Sequence, residues 1–566
     1  MPQAPSSRSL YAQYGLLLAI LLVAGLLRIV YLTQAPPGLN QDEAANAWNA
    51  WCLLKTGHDQ VGAGWPIFCF RELGGNRSAL YLYTILPFQL IGGLNVWTTR
   101  LPSAVAGILT VLLTYWLGAR LFNRPAGLVA AFIVALSPWN VALSRWGHEA
   151  AIGPLVVALA LAALLWAGLP LCDGEVRPVV WRALGAGLLT GLACYGYAAV
   201  RLFLPPFVAA CVLVNWRAWW TLLRTRQGVL SLVALLVGLA ATIGPLGYEH
   251  VARGKELAKR AEFMWLWGPN DPVSTRVTKV LARYADHFTP DSLFAGGDRS
   301  EIHAAAGYGL FHWYTLPPML VGLGVILRNL RRSRAARVLL CWLILYPAGD
   351  CLHQGMPYQA ADGSLHNSLH MLRSAPGLIA PALLAAVGAA AVGLWLWRRS
   401  RAGCTIAIIV AVLAALPFDV SFWRYYFGPH TRHPFVYRHF HVALLEACEW
   451  LRPQLDQVDA VAIGSARTNS PYIVMMVALG YDPQRWFEEE RTIRATPEWD
   501  RYVRVGKLYF FYDNEDLAPL TALQADGKRH RVVFIVRPGE LQLSNPAHTI
   551  YGPDGTPALV IYDGRF

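Results

Sequence analysis

The chain carries little charge for its length. Asp, Glu, Lys and Arg make up 15% of its 566 residues, whereas 55% are hydrophobic. Soluble domains carry about 25% charged residues, so this composition excludes an ordinary soluble protein of this size. The mean hydropathy is positive, which indicates a membrane protein.

Several motifs are absent as well. The nine cysteines include no Cys-x-x-Cys pair, so neither a zinc motif nor a redox motif is indicated. No glycine-rich nucleotide-binding loop and no internal repeat is present. The net charge of +13 falls in short basic clusters between apolar runs, which the positive-inside rule explains without nucleic acid. Cys52 and Cys69 share one loop and are either free or joined, depending on which side of the membrane that loop faces.

Apolar runs of about crossing length, or slightly shorter, recur along the first three quarters of the chain. A membrane-spanning helix needs roughly 20 residues. We therefore predict about eleven transmembrane helices at 14–32, 101–119, 126–139, 150–170, 183–194, 202–214, 228–248, 307–327, 338–349, 374–397 and 404–418. The first run is longer than a signal-peptide core, so it is expected to be retained.

A further apolar run at 78–97 contains Pro87 and several polar or glycine residues. Counting it as a crossing would place the basic clusters at 328–337 and 398–401 outside, against the positive-inside rule. We therefore predict an interfacial helix there. The N-terminus is then cytoplasmic, and the polar loops and the C-terminal region lie on the outer face.

The composition changes near residue 419. Ordinary polar content returns, and strand-like runs appear at 460–463, 508–511, 531–536 and 558–562. The predicted organisation is a transmembrane domain at 1–418, with a first outer loop at 33–100, and a small extracytoplasmic α/β domain at 419–566. A domain of about 140 residues has a normal size.

Two adjacent carboxylates, Asp42 and Glu43, follow the first predicted span. One interpretation is helix capping, with Asn40 or Asp42 capping an amphipathic helix that starts near Ala44. The other is catalysis, because a carboxylate at a helix N-terminus beside the membrane is placed to act as a general base. The two interpretations are compatible.

Cations recur at the outer ends of predicted spans, at Arg100, Arg201 and Arg373. Each one alone is explained by snorkelling. Together, opposite several carboxylates, they are typical of a phosphate site, since guanidinium groups bind phosphate oxygens bidentately. Glu149 opens a span, where an acidic group is rare unless it faces a cavity.

Three histidines, His353, His366 and His370, raise the possibility of a metal. The spacing of His366 and His370 would put both on one side of a helix. No third ligand is specified, so hydrogen bonding or phosphate contact is the favoured role. We predict no required cofactor and no metal residues; a divalent metal is possible but not indicated.

These motifs resemble the polytopic GT-C glycosyltransferases, the bacterial relatives of the protein O-mannosyltransferases and the lipid A aminoarabinose transferases. The resemblance covers roughly residues 10–400. It is carried by Asp42-Glu43, by 100–107 running on to 120–122, by Ser137-Pro138-Trp139 and Ser144-Arg145 up to Glu149, and by 372–376. Relatives often have Lys-Pro-Pro or His-Pro-Pro before the interfacial helix, whereas here Asn76-Arg77-Ser78 stands there.

The resemblance implies an inverting transfer of a sugar from a polyprenyl-phosphate donor to an acceptor hydroxyl. It implies Asp42 as general base with Glu43 beside it. It places the donor phosphate or lipid near Arg100 and Arg373. The complete predicted site adds Arg201 and His370 on the donor side, and Arg77, Arg145, His148, Glu149, Tyr195 and Tyr197 as acceptor or sugar contacts.

The predicted protein is thus a glycosyltransferase of the bacterial plasma membrane. Its partners are the lipid-linked sugar, membrane lipids and an acceptor on protein, lipid or glycan, and not nucleic acid. A lipid or glycan transporter or flippase is the main alternative, because it would also line a cavity with rare charges. It would show mid-span charges, broken helices and internal repeats. A third alternative is an inactive scaffold whose C-terminal domain binds a partner.

Overall fold

The structure is a computed structural model. It describes residues 7–72, 75–252, 254, 265–355, 357–359, 365–367, 369–465, 470–495, 501–513 and 529–565. The chain divides into two compact units. The first consists of Met1–Val30 and Ser103–Tyr425, and the second of Tyr31–Pro102 and Tyr426–Phe566. The predicted outer loop 33–100 therefore lies in the same compact unit as the C-terminal sheet.

The helices follow the apolar runs of the sequence. In chain order they are α1 (Ser7–Ile29), α2 (Gln41–Thr56), α3 (Ala79–Gly92), α4 (Val96–Leu121), α5 (Arg124–Leu136), α6 (Pro138–Leu143), α7 (Gly153–Trp166), α8 (Val180–Ala193), α9 (Ala198–Val214), α10 (Trp216–Leu223), α11 (Arg226–Ala252), α12 (Val273–Asp286), α13 (Leu316–Asn329), α14 (Arg334–Leu345), α15 (Met371–Ser374), α16 (Ile379–Arg399), α17 (Arg401–Tyr426), α18 (Pro434–His439), α19 (Val442–Leu451), α20 (Pro471–Leu479) and α21 (Pro483–Glu488).

Strands are short and lie mostly in the second unit. In chain order they are β1 (Cys69–Glu72), β2 (Gly75–Ser78), β3 (Pro357–Gln359), β4 (Leu365–Asn367), β5 (Ala460–Gly464), β6 (Arg491–Arg494), β7 (Arg501–Val505), β8 (Leu508–Phe511), β9 (Arg531–Val536), β10 (His548–Tyr551) and β11 (Pro557–Arg565). The four strand-like runs predicted after residue 419 are confirmed as β5, β8, β9 and β11.

Each of the eleven predicted spans overlaps a helix, and several helices have the length and apolar character of a membrane crossing. Within the described residues five do so: Val96–Leu121, Glu149–Trp166, Arg226–Ala252, Ile379–Arg399 and Arg401–Arg432. The bent pair α9 and α10, with an angle of 80°, makes a sixth if it is one span. The chain is thus a helical protein with several candidate membrane spans, and the count of about eleven stays a prediction.

Within the run 78–97 the structure forms α3, a separate helix of 14 residues. At 1.5 Å per residue such a helix is about 21 Å long, less than the roughly 30 Å of a bilayer core. Apolar helices such as α5 and α8 are equally short. The interfacial placement of α3 therefore stays a prediction.

Glycines bring helices of the first unit into backbone contact. A Cβ on Gly187 of α8 would lie 2.2 Å from the carbonyl oxygen of Leu235 of α11. A Cβ on Gly322 of α13 would lie 2.0 Å from the carbonyl oxygen of Leu384 of α16. Small residues at helix contacts are the usual means of close packing in membranes, where no hydrophobic drive joins helices.

A seven-stranded sheet forms the centre of the second unit. Its strand order is β10-β11-β9-β5-β8-β7-β6. The central strand β5 is parallel to both β8 and β9, while the outer pairs are antiparallel. All residues of β5 are buried, because apolar side chains cover both of its faces.

The helix α2 is part of the core of this second unit. Ala44, Ala47 and Trp48 are fully buried in one hydrophobic cluster with residues of α19, α20 and the sheet. The Trp48 ring packs edge-on against Trp486, with 5.7 Å between centroids. The prediction of a helix here is confirmed, but α2 is buried on nearly all sides and not only on one amphipathic face.

Candidate active site

The loop before α2 ends in a capping box. Asn40 is the N-cap, and its side-chain oxygen accepts a hydrogen bond from the backbone N–H of Asp42 at 2.9 Å. The Glu43 carboxylate in turn accepts from the backbone N–H of Asn40 at 3.1 Å. Of the two caps that the sequence allowed, Asn40 is the one formed, and the helix starts with both acidic residues in its first turn, as the helix dipole favours.

Glu43 forms a buried bidentate ion pair with Arg100. Arg100 Nε and Nη2 donate to the two carboxylate oxygens of Glu43, each at 2.8 Å, and both side chains are 0% exposed. The remaining donors of Arg100 bind backbone carbonyl oxygens of Leu32, Pro36 and Gly38 at 2.7–3.0 Å. All five N–H donors of this guanidinium are therefore used within the loop 32–43.

Asp42 is the more accessible of the two carboxylates, with 23% of its side chain exposed. It pairs with Arg77, which also pairs with Glu72. The antiparallel hairpin β1–β2 places Arg77 opposite Phe70 and close to Glu72. The hairpin thus fixes a cation beside Asp42.

Hydrogen bonds to the C-terminal part of the second unit hold the loop before α2 in place. Leu39 N–H donates to the carbonyl oxygen of Phe440 at 2.7 Å, and Asn40 Nδ2 donates to that of His439 at 3.1 Å. Gly38 has φ of +62°, and a Cβ there would lie 2.2 Å from the Phe440 carbonyl oxygen. Only glycine combines this left-handed conformation with such a close approach.

In the first unit, Arg145 caps the end of α1. Its guanidinium donates to the carbonyl oxygens of Leu27 at 2.7 Å and Val30 at 2.9 Å, and its side chain is buried. Arg28 is also buried and donates to carbonyl oxygens of Ala24 and Ala135. Arg145, and Arg28 through Ala135 near the end of α5, bind carbonyl oxygens at helix ends, which gives both arginines a structural role.

The turn at 148–149 joins aromatic and charged side chains. His148 Nδ1 accepts from the Ala150 N–H at 3.0 Å and lies 3.6 Å from a Glu149 carboxylate oxygen. The Tyr197 ring packs edge-on against His148 at 5.9 Å. Tyr195 instead donates its hydroxyl to the Thr242 carbonyl oxygen at 2.6 Å.

The two predicted cations of the first unit have partners of their own. Arg201 Nη1 lies 3.4 Å from His250 Nε2. Arg373 donates to the carbonyl oxygen of Gln354 at 2.6 Å and is half-buried. The phosphate role of each residue stays a prediction.

His370 lies in a buried group that includes residues the sequence analysis missed. Its ring is 4.4 Å from that of His303, whose Nδ1 is 2.8 Å from Asp298 Oδ2. Trp146 stacks on His303 at 5.4 Å and lies 5.0 Å from His148, so this group connects to the turn at 148–149. Asp298 and His303 stand in a long loop without a recognisable motif, so no signal in the sequence singled them out.

Burial and neighbouring cations, Arg373 foremost, hold the pKa of the His370 imidazole well below its usual range. The backbone N–H of His370 donates to Asp350, which also pairs with Arg283 at 2.9 Å. Burial opposes ionisation of Asp350, but Arg283 and His287 outweigh it and lower its pKa to about 2. His370 is thus a neutral ring in a tightly held loop.

The pairing of His366 and His370 on one helix is wrong. Residues 365–367 form β4, and the helix α15 begins after His370, at Met371. His353 instead stacks on Trp265 at 5.6 Å. The histidine near His370 is His303, and the group of possible metal ligands in the described residues is Asp298, His303 and His370, which lie within 4.8 Å of one another. Cys52 and Cys69 are free thiols.

The fold and the sequence together define the class of protein to which this chain is similar. The chain has the fold of the GT-C glycosyltransferases, which confirms the resemblance seen in the sequence. Residues 76–244 match the family of dolichyl-phosphate-mannose-protein mannosyltransferases. This segment includes Arg77, Arg100 and the turn at 148–149, but not Asp42, Glu43 or Arg373.

Two solved structures share the fold over nearly the whole chain. ArnT from Cupriavidus metallidurans in the apo state is 13% identical, with a TM-score of 0.53 over 97% of this chain and 98% of that chain. The same protein bound to undecaprenyl phosphate is 12% identical, with a TM-score of 0.52 and the same coverage.

Curated relatives match over shorter segments. YycA of Bacillus subtilis, named as a mannosyltransferase, is 28% identical over 230 residues, which are 40% of this chain and 30% of the relative. The undecaprenyl phosphate-alpha-4-amino-4-deoxy-L-arabinose arabinosyl transferase of Pseudomonas paraeruginosa is 31% identical over 152 residues, 27% of each chain. The chain thus matches less than a third of the length of these curated relatives.

Proposed function

We propose that the chain transfers a sugar, with inversion, from a polyprenyl-phosphate donor to an acceptor hydroxyl, with Asp42 as the general base. The observation that carries this proposal is the contrast between two neighbouring carboxylates. Glu43 is fully buried and held by Arg100, whereas Asp42 is partly exposed on the first turn of α2 and paired with Arg77.

In this mechanism Asp42 accepts the proton of the acceptor hydroxyl, and the hydroxyl oxygen bonds to the anomeric carbon. The bond from that carbon to the phosphate oxygen breaks, and the lipid phosphate leaves with the electron pair. The capping box and Arg77 hold Asp42 in one orientation, so little reorganisation is needed at the moment of reaction.

Glu43 and Arg100 are proposed as positioning residues. Every donor of Arg100 is bound inside the loop 32–43, so contact with the donor phosphate would require breaking the buried pair. Arg201, Arg373 and His370 remain the proposed donor-phosphate residues. Arg77, Arg145, His148, Glu149, Tyr195 and Tyr197 remain the proposed acceptor or sugar contacts, with Arg145 acting through its cap on α1.

The proposed setting is the bacterial plasma membrane, with the N-terminus cytoplasmic and the C-terminal sheet on the outer face. The basic connectors at 328–337 and 398–401 support this orientation. The acceptor is a hydroxyl of a protein, lipid or envelope glycan. The undecaprenyl phosphate bound by ArnT, a protein of the same fold, supports a donor of the same lipid class.

The test is the release of polyprenyl phosphate from polyprenyl-phosphate-linked hexoses and aminoarabinose, measured by mass spectrometry with membrane-extracted acceptors. Loss of a general base lowers the rate by about 10²–10⁴-fold, so Asp42→Asn is expected to show that loss while keeping its fold. Asp482→Asn, which removes an exposed helix-capping carboxylate of the same unit, is the matched control. Full transfer by folded Asp42→Asn would overturn the mechanism, and lipid movement without sugar transfer would indicate the flippase alternative.

A further inference from the structure

The group of Asp298, His303 and His370 lies in the first unit and has no part in the proposed proton transfer. Asp298 is 2% exposed, and His303 and His370 are each 8% exposed. Each side chain offers one metal-binding atom, and the three atoms lie within 4.8 Å of one another. Two imidazoles and one carboxylate form a ligand set typical of Zn²⁺ sites that keep a fourth position open.

The distances within the group suit a metal. Ligand atoms on a tetrahedral ion with bonds of 2.0–2.1 Å are roughly 3.3 Å apart. Asp298 Oδ2 is 2.8 Å from His303 Nδ1 and 4.0 Å from His370 Nδ1. These two distances come within about 0.7 Å of that spacing, and the two histidine atoms lie within 4.8 Å of each other, so side-chain rotations must draw the histidines together when the metal binds.

A second observation comes from His370 itself. Its Nδ1 is buried and has no hydrogen-bond partner among the residues that the structure describes, and the side chain is nine-tenths buried. A hydrogen-bonded pair of Asp298 and His303 that merely fixes the loop would leave this atom unexplained. Buried polar atoms without a partner are costly and rare in folded proteins.

The surroundings hold the three ligands in place. Asp298 also accepts from the backbone N–H groups of Ser300 at 3.0 Å and Met371 at 3.0 Å. Of the two arginines whose charge acts on His370, Arg373 donates to the Gln354 carbonyl oxygen and Arg283 is paired with Asp350. Such supporting hydrogen bonds orient ligands in known metal sites.

We propose that Asp298, His303 and His370 bind one divalent transition-metal ion, Zn²⁺ by their chemistry, with a fourth position open to an oxygen ligand such as water or a phosphate oxygen. The site contains no group of the proposed proton transfer. It shares His370 with the proposed donor-phosphate residues, but Zn²⁺ binding is measured without sugar transfer and does not depend on it.

The test uses the full-length protein in detergent, freed of any histidine tag and stripped with a chelator. We expect about one equivalent of Zn²⁺ per chain by elemental analysis, and a d–d absorption spectrum when Co²⁺ is added instead. Loss of a supporting group alone weakens metal binding about 10–100-fold, so loss of the ligand in His370→Ala should weaken Zn²⁺ binding by at least about 10-fold.

His370→Ala is the decisive variant, because its Nδ1 has no hydrogen bond to another described residue, whereas Asp298→Asn also disturbs two backbone contacts. His312→Ala is the matched control, since His312 is another buried histidine, 3.2 Å from Asp419. Equal metal binding by wild type and folded His370→Ala would overturn the proposal, as would the absence of stoichiometric binding by the wild type. A change in binding with His312→Ala as large as that with His370→Ala would also count against it.

Discussion

Arg100 and Glu43 form a fully buried bidentate pair that holds the loop before α2, with both N–O distances at 2.8 Å. The pair joins the first turn of α4 to the first turn of α2. Because Arg100 also binds three carbonyl oxygens, its contribution is to the shape of the loop that presents Asp42.

We expect Arg100→Gln and Glu43→Gln each to lower the free energy of unfolding by about 3–5 kcal/mol, since each leaves an unpaired buried charge. Thermal unfolding in detergent, followed by tryptophan fluorescence, measures this loss. Asp42→Asn changes a partly exposed group and should shift unfolding far less. Equal stabilities of the Glu43 and Asp42 variants would contradict the distinct roles given to these residues.

Gly38→Ala should disrupt the loop before α2, because its Cβ would meet the Phe440 carbonyl oxygen at 2.2 Å and its φ is +62°. Gly62→Ala is the control, since Gly62 also has positive φ, at +90°, but no atom lies within 4 Å of its Cβ. The control should lose only the roughly 1–2 kcal/mol of left-handed backbone strain. Comparable unfolding temperatures for the two variants would show that the contact with Phe440 is dispensable.

Gly322→Ala should destabilise the contact between α13 and α16 by about 1–3 kcal/mol, the usual cost of overpacking. The added Cβ would lie 2.0 Å from the Leu384 carbonyl oxygen. Gly324→Ala, two residues further along α13, places its Cβ in open space and should be neutral or slightly stabilising. Unfolding temperatures in the same detergent compare them, and a Gly322→Ala variant as stable as Gly324→Ala would refute the close approach.

Stability should fall as the pH decreases from about 6.5 to about 4. Burial is the main cause that lowers the pKa of His353 from 6.5 to about 4. The charge of Arg373 lowers it further, whereas Asp350 raises it. In that interval the unfolded ring binds protons that the folded ring does not, so acid favours unfolding. The pKa of His370 is lowered as well and acts in the same direction.

His353→Gln should therefore reduce the loss of stability between pH 7.5 and pH 5 without abolishing it. Unfolding temperatures at the two pH values measure the effect, with His548→Gln on an exposed strand as control. The carboxylate of Asp350 contributes stability that is lost only below its unfolded pKa of about 3.8, since its folded pKa is about 2. An unchanged pH dependence in His353→Gln would contradict this account.

Much of the secondary structure was predictable because it depends on short-range patterns. Apolar runs located the helices, and the four strand-like runs after residue 419 located β5, β8, β9 and β11. The strands β6, β7 and β10 were missed because they are rich in Arg, His and Thr. Such strands carry no apolar run of their own and are stabilised by pairing with a neighbour in the sheet.

The site was predictable only in part, since a residue type does not reveal its partner. The sequence placed Asp42 as general base and Glu43 beside it at one site, but it did not show that Asp42 is partly exposed and Glu43 fully buried. Arg100 looked like a snorkelling or phosphate-binding cation and Arg145 like an acceptor or sugar contact, yet both bind backbone carbonyl oxygens. The histidine spacing suggested a pair on one helix, whereas a strand lies at 365–367 and His303 is the neighbour of His370.

The sequence by itself determined the class of the protein, because hydrophobic content, charge bias and the order of short motifs are local properties that survive without coordinates. It also indicated a helix start in this loop, with Asn40 or Asp42 as the cap. Only the tertiary structure decided that α2 lies in the core of the second unit and that Glu43 is paired with Arg100. It alone also decided that Asp298, His303 and His370 lie next to one another. Most of these contacts join residues tens to hundreds of positions apart, and no local pattern encodes which distant side chains form hydrogen bonds or pack together.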